Sequence, residues 1–322
     1  MCIAKKIRIG YFADGPWAHN AFCRIVSDPS LEILFVAVRY DVQDSILIQY
    51  AKEYNIPVII EKNINDKLAI EQFATFETDL FVSMSFNQIF HKNILGLPPL
   101  RTINCHAGKL PFYRGRNILN WLLINDEKEF GITVHYVDEG IDTGDIILQR
   151  TYPVTDEDDY ATLLNKAYVE CADVLYDAIK QIQTGQIKPI SQAEIDRVGL
   201  YCGIRGLGDE VLDWNRTSRE VFNFVRAICK PGPMATCFVE NTPVFINKVR
   251  EVPGAHTYIN TPGQVIGKGE KGLYVKTRDT FVEVVEYTSE QKLRIGDKLR
   301  PYKIGAKVRD RDFGSGGGNQ IL

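Results

Sequence analysis

Apolar runs and amphipathic stretches alternate through the first half of the chain. Near-continuous apolar runs at Ile7–Ala13, Leu31–Val38, Val58–Ile60, Asp79–Met84 and Thr102–Cys105 predict strands buried on both faces. Between them, Trp17–Val26, Ser45–Tyr54 and Asp66–Phe76 carry helical periodicity, and the second of these stops short of Pro57. Strands alternating with helices in this way predict an α/β unit built on a doubly wound, mostly parallel sheet. A helix at Arg116–Asn125 follows, then strands at Ile132–Val137 and Asp145–Pro153 separated by a turn-rich stretch. Asp159 to Thr184 predicts a long helix, with Leu164, Tyr168, Cys171, Leu175, Ala178 and Ile182 on one face and Gly185 at its end.

Beyond residue 185 the periodicity fades. Gly199, Gly203, Gly206 and Gly208 mark 191–210 as a linker, closing a catalytic domain over 1–190. Ser218–Ile228 predicts one helix, halted by Pro231-Gly232-Pro233. Short β-like runs then recur at Ala235–Val239, Val244–Val249, Gln264–Ile266, Leu273–Thr277 and Phe281–Glu286. They predict a smaller C-terminal β-barrel domain of OB-like type over 211–310. The Gly/Ser-rich tail, 311–322, reads as flexible.

Composition narrows the class. A chain of 322 residues exceeds what one core supports, in keeping with two domains. The net charge of −3 supplies no global field for a polyanion, so nucleic acid is not an expected partner. Seven cysteines, an odd number without C-x-x-C spacing, argue against a zinc ribbon or a secreted disulfide scaffold and for a reduced, cytoplasmic setting. No apolar stretch is long enough to span a membrane, and no H-x-E, HExxH or Cys/His cluster marks a metal site.

The densest chemistry lies at Ile103-Asn104-Cys105-His106-Ala107-Gly108, at the carboxyl end of a predicted strand, the edge where open α/β sheets bind ligands. Asn104 and His106 are two apart and share one side of an extended backbone. His can move a proton near neutral pH, and Asn can donate to a developing oxyanion. A Pro/Gly-rich loop with Arg114 and Arg116 follows, and Arg suits phosphate. Asp138-Glu139-Gly140-Ile141-Asp142 forms an acidic turn able to bring one carboxylate to His106. His135, mid-strand between Val134 and Tyr136, is read as structural.

Taken together, Asn104-x-His106, Leu110-Pro111-x-Tyr113-Arg114-Gly115, Gly131-Ile132-Thr133-Val134-His135 and Asp142-Thr143-Gly144-Asp145-Ile146 resemble the folate-dependent formyltransferases. Leu212-Asp213-Trp214-Asn215 and Val225-Arg226-Ala227 extend the likeness into the members with a C-terminal OB-like domain. The resemblance implies a Rossmann-like formyltransferase fold and N10-formyltetrahydrofolate as formyl donor. It implies a catalytic trio of Asn104, His106 and Asp142, with His106 as base, Asn104 as oxyanion stabiliser and Asp142 orienting His106. It places the folate among Met84, Phe86, Gln88, Ile89, Phe90, Leu110, Asp138 and Gly140.

The family divides by acceptor. Initiator methionyl-tRNA formyltransferases resemble one another in an Arg/Gly/Lys-rich loop after the second strand. Here that stretch is Val38-Arg39-Tyr40-Asp41-Val42-Gln43-Asp44, short and with more acids than arginines. Tyr113–Trp121 looks more like the enzymes that formylate nucleotide-linked aminosugars for surface glycans, such as lipopolysaccharide and O-antigen. On that resemblance Gly15, Trp17, Arg114 and Asn117 contact a nucleotide-sugar substrate. Methionyl-tRNA formyltransferase and formyltetrahydrofolate hydrolase are the alternatives. Sugar-modifying relatives are often dimers, which leaves a homodimer open.

Overall fold

The computed structural model describes residues 6–303; Cys2 and the tail 311–322 lie outside the described residues. The described residues form two compact units, one running as far as Asp209 and taking in Arg226–Gly232, the other of Glu210–Val225 with the residues from Pro233 onward.

The first unit begins β1 (Ile7–Ala13), α1 (Gly15–Val26), β2 (Leu31–Val38), α2 (Ser45–Glu53), β3 (Val58–Ile60) and α3 (Lys67–Ala74). It continues through β4 (Leu80–Met84), α4 (Lys92–Leu95), β5 (Thr102–His106), β6 (Arg114–Gly115), α5 (Ile118–Ile124), β7 (Glu129–Tyr136) and β8 (Ile146–Pro153). The last elements before its first break are α6 (Tyr160–Thr184), α7 (Gln192–Ile195) and β9 (Tyr201–Cys202). Seven strands form one sheet in the order β3-β2-β1-β4-β5-β7-β8. The first five are parallel, whereas β7 runs antiparallel to β5 and β8 antiparallel to β7. The strand order reverses around β1 and β4, so their carboxyl ends open the crevice in which such sheets hold ligands.

Local chemistry explains the helix starts that flank this crevice. Pro16 occupies the first turn of α1, where its missing N–H costs nothing. Asp44 caps α2 by accepting from the backbone N–H groups of Ile46 and Leu47. A capping box of Asp159 and Thr162 opens α6, and Gly185 closes it at φ 67°. The buried stripe of α6 is Leu163, Ala167, Cys171, Val174, Leu175, Ala178 and Ile182. Two members of the predicted stripe, Leu164 and Tyr168, face a cavity instead. The wide apolar face of this helix therefore covers the sheet with one flank and walls the cavity with the other.

Behind the crevice lies an aromatic core. Phe12 sits edge-on to Phe35, Phe81, Phe86 and Phe90 at centroid distances of 5.5, 5.1, 5.6 and 5.0 Å. This packing fixes the segment after β4, from which the cavity wall is made.

The segment 191–210, expected to be a linker, carries α7 and β9 and belongs to the first unit as far as Asp209. Strand β9 pairs parallel with β6, and Leu200 O and Cys202 O accept from Arg114 N and Arg116 N. Gly115, at φ 97°, stands where a Cβ would lie 2.3 Å from the Cys202 carbonyl oxygen, so only glycine permits this approach.

Within the second unit, β10 (Ala235–Val239), β11 (Thr242–Glu251), β12 (Val265–Lys268), β13 (Leu273–Lys276), β14 (Phe281–Ser289) and β15 (Leu299–Arg300) form one antiparallel sheet. Its order is β12-β13-β14-β11-β10-β15. The bridge Gln264–Lys298 brings the two edges together, so the sheet curls toward an OB-like barrel. Leu212, Trp214, Val244, Ile246, Val275 and Val284 fill its interior.

Candidate active site

The carboxyl ends of β1, β4 and β5 open on a cavity of about 750 Å³, within the range of about 300–1,000 Å³ typical of small-molecule sites. One wall is apolar and comes from Met84, Phe86, Ile89, Val137 and Ile141; Trp17, Tyr160, Leu164, Tyr168 and Tyr201 line it elsewhere. Asn104, His106 and Asp142 meet within it.

Strand β5 presents Asn104 and His106 to the same side, as their spacing predicts. His106 is only 8% exposed. Its Nε2 lies 2.7 Å from the Tyr113 carbonyl oxygen. A carbonyl oxygen only accepts, so Nε2 carries a proton and the neutral ring keeps its lone pair on Nδ1. Nδ1 faces Asp142 Oδ2 at 3.5 Å. The ring is thus held at Nε2 by the Tyr113 carbonyl, and Asp142 stands beside Nδ1, the nitrogen that would gain a proton. Gly108 makes the arrangement accessible: a Cβ there would fall 2.5 Å from both His106 Nε2 and the Tyr113 oxygen.

Asp142 sits at φ 53° in the acidic turn between β7 and β8. Its Oδ2 accepts from Gly115 N at 2.9 Å and its Oδ1 lies 3.4 Å from His135 Nε2. Burial alone would raise this carboxyl, but attraction to a protonated His106 and the hydrogen bond from the Gly115 N–H hold it well below the usual carboxylate range. It is therefore an anion across the neutral range.

His135 belongs to the site, contrary to its reading as a structural residue. The antiparallel register pairs Asn104 with His135, which delivers both side chains to one face. Sequence alternation alone could not show this, because it fixes neither the direction nor the register in which β5 and β7 pair.

The remaining predicted residues divide. Met84, Phe86, Gln88, Ile89, Phe90, Asp138, Gly140, Trp17 and Asn117 line the cavity. The Gln88 side chain is engaged below the wall, with Oε1 accepting from Ile64 N and Nε2 donating to Glu61 O. Leu110 is 1% exposed and packs behind the site rather than lining it. Gly15 is also absent from the lining; its N–H donates to Asp44 Oδ2. Arg114 does not line it either, because its Nε and Nη2 both donate to Gln192 Oε1, at 3.0 and 2.7 Å.

Gln192 was invisible to the sequence reading. It is buried, and its Nε2 donates to the carbonyl oxygens of Asp142 and Gly144 at 2.8 Å each. One amide thereby joins Arg114 to the Asp142 turn. Arg116 and Arg205 reach the cavity that Arg114 does not. Arg205 is placed by Asn117, whose Oδ1 accepts its backbone N–H at 2.9 Å, and its guanidinium lies 5.1 Å from the Trp121 ring centroid. Among the described residues no cluster of His, Cys, Asp and Glu could hold a metal ion.

A family model described as formyl transferase matches residues 36–179, and one for the formyl transferase C-terminal domain matches residues 208–298. The methionyl-tRNA formyltransferase of Geotalea daltonii is 30% identical over 266 residues, covering 81% of this chain and 83% of its own. That of Azobacteroides pseudotrichonymphae is 32% identical over 261 residues, covering 78% and 80%. Among solved structures, WlaRD, a sugar 3N-formyl transferase crystallised with dTDP and 5-N-formyl-THF, superposes with a TM-score of 0.62 at 23% identity, over 89% of this chain and 99% of that one. An N-formyltransferase from Helicobacter canadensis, in complex with folinic acid and dTDP-3-aminofucose, gives 0.60 at 22% identity, over 88% and 100%. The structural matches establish a shared fold, the sequence matches span both units, and the chain accordingly belongs to the folate-dependent formyltransferase family.

Proposed function

We propose that the protein transfers a formyl group from N10-formyltetrahydrofolate to the amino group of a nucleotide-linked aminosugar. The observation that carries the choice of acceptor is the turn after β2. Its single arginine, Arg39, is committed to acids: it donates to Asp41 at 3.0 and 2.7 Å and to Asp14 at 3.2 Å. Hydrogen bonding from Arg39 brings the Asp41 carboxyl down to about 2, so the pair is charged and self-neutralised at physiological pH. Such a turn offers a tRNA backbone little uncompensated positive charge. Two arginines, Arg116 and Arg205, in a cavity also lined by Trp17, Tyr160, Tyr168 and Tyr201, suit a compact ligand with a base and a diphosphate.

The apolar wall from Met84, Phe86 and Ile89, with backbone at Gln88 and Phe90, fits a flat heterocycle and would hold the pterin. When bound, N10-formyltetrahydrofolate supplies the formyl carbon and accepts a proton on the nitrogen that leaves it. His106 Nδ1 takes the proton that the acceptor amine loses as its nitrogen bonds to the formyl carbon. The imidazolium so formed lies against the Asp142 carboxylate, which stabilises it. Asn104 Nδ2 donates to the charge developing on the formyl oxygen. His106 then returns its proton to the departing nitrogen as the old carbon–nitrogen bond breaks, so no proton is gained or lost overall.

Sequence identity of about 30% to methionyl-tRNA formyltransferases favours a second reading, with charged initiator tRNA as acceptor. One assay separates the two. The purified protein and N10-formyltetrahydrofolate are offered UDP-, dTDP- and GDP-linked aminosugars, methionyl initiator tRNA, or buffer alone. The proposal expects stoichiometric N-formylation of one sugar nucleotide; turnover with tRNA alone, or deformylation without acceptor, would overturn it.

A further inference from the structure

Resting on the formyl-transfer reading above, we infer that His135 is a positioning residue that sets the amide orientation of Asn104. His135 is 2% exposed, so it acts through its neighbours. Its Nδ1 lies 2.7 Å from the Tyr136 carbonyl oxygen, which only accepts, so Nδ1 bears the proton. In the neutral ring Nε2 is then an acceptor. It lies 3.3 Å from Asn104 Nδ2 and 3.4 Å from Asp142 Oδ1, while Asn104 Nδ2 lies 3.5 Å from that same oxygen.

The three atoms form a triangle of nearly equal sides. Nε2 of His135 and Oδ1 of Asp142 lie close enough in direction, seen from Asn104 Nδ2, for one N–H aimed between them to serve both. In that orientation the second N–H is available to the cavity, where the formyl oxygen would develop charge. Both acceptors disfavour the flipped amide, since a carbonyl oxygen in place of Nδ2 would meet a lone pair and a carboxylate. Asp142 alone would still attract the amide nitrogen, but it also accepts from Gly115 N and faces His106. His135 supplies the second point that fixes the plane of the amide. The pairing of β5 with β7 places it there, opposite Asn104 in the ladder.

Two isosteric substitutions separate this role from a structural one. In His135→Asn the side-chain amide can keep the donor to the Tyr136 carbonyl but offers nothing at the position of Nε2. In His135→Gln the distal amide can reach the Nε2 position while the bond to Tyr136 is lost. Steady-state kinetics with the acceptor found in the panel should show kcat of His135→Asn down about a hundredfold, the scale of a misplaced catalytic group. KM and thermal midpoint should stay near wild type, and His135→Gln should recover part of kcat despite a lower midpoint. In an Asn104→Ala background His135→Asn should cost no further rate. A second readout is independent of turnover: the side-chain NH2 resonances of Asn104, assigned by their loss in Asn104→Ala, should contain one exchange-protected proton that disappears in His135→Asn and persists in His135→Gln. Unchanged NH2 resonances in His135→Asn, kcat within twofold of wild type, losses that multiply with Asn104→Ala, or losses that follow the thermal midpoint in both variants would each overturn the inference. Failure of every acceptor would count against the formyl-transfer reading, leaving the resonance test to decide this one.

Discussion

His106 donates from Nε2 to the carbonyl oxygen of Tyr113 at 2.7 Å, and the Cβ that Gly108 lacks would lie 2.5 Å from both atoms. That one contact sets which ring nitrogen is basic. It also makes a glycine, a backbone carbonyl and an imidazole into a single unit, with the free nitrogen facing Asp142.

Gly108→Ala should therefore act as an active-site substitution. The added methyl has to push the imidazole from the carbonyl, and a displacement near 1 Å can cost about a hundredfold in rate. Comparing kcat with that of His106→Ala checks this: Gly108→Ala should approach the His106→Ala rate while binding folate nearly as well as wild type. Activity within threefold of wild type would show that the contact is dispensable.

Asp142→Asn should lower kcat by about 10² or more, since the imidazolium loses its counter-charge. Its pH signature follows from linkage. The folded-state pKa of Asp142 is depressed, so the carboxylate contributes stability that is present above its unfolded value, about 3.9, and is lost as pH falls below it. Chemical denaturation from pH 7 to pH 3 should accordingly find wild type losing stability relative to Asp142→Asn at the acid end. A constant difference across that range would contradict the assignment.

Arg116→Ala and Arg205→Ala should raise KM for the sugar nucleotide, each by about tenfold, the scale of a lost charge-assisted hydrogen bond. KM for folate should hold. Calorimetric titration with the bare nucleoside diphosphate isolates the contact: affinity should fall in both variants, and more steeply than for the corresponding monophosphate. Equal losses for the two ligands would remove the arginines from the diphosphate.

Gln192→Ala leaves the Asp142 and Gly144 carbonyls without the Gln192 donor and Nε and Nη2 of Arg114 without their acceptor. A buried unsatisfied group costs about 1–3 kcal/mol, so the thermal midpoint should drop by several degrees and kcat should fall with it. Gln192→Glu retains the acceptor for Arg114 but sets a carboxylate oxygen in place of the donor, against the Asp142 and Gly144 carbonyls. It should lose kcat, through the Asp142 turn, while KM for the acceptor holds. A Gln192→Glu enzyme with wild-type kcat would show that the turn needs no support.

Much of the architecture was legible because its signals are local. Apolar runs such as Ile7–Ala13 and Leu31–Val38 emerge as β1 and β2 with the predicted bounds, and the spacing of Asn104 and His106 puts both on one side of β5. The 191–210 segment misled for a physical reason: its glycines resemble those of a flexible connector, yet the same segment carries β9, held by backbone hydrogen bonds that no side-chain pattern records. Arg114 misled likewise, since a guanidinium suited to phosphate is equally suited to the amide oxygen of Gln192.

By itself the sequence determined which chemistry is present: an imidazole, an amide and a carboxylate in motifs that mark the family, and a turn after β2 poor in basic charge. Only the tertiary structure decided how those groups are wired. The tautomer of His106, the entry of His135 and Gln192, and the exchange of Arg114 for Arg116 and Arg205 at the cavity all depend on contacts between segments distant in the chain. Such contacts are set by strand register and by close backbone approach, which local residue patterns do not encode.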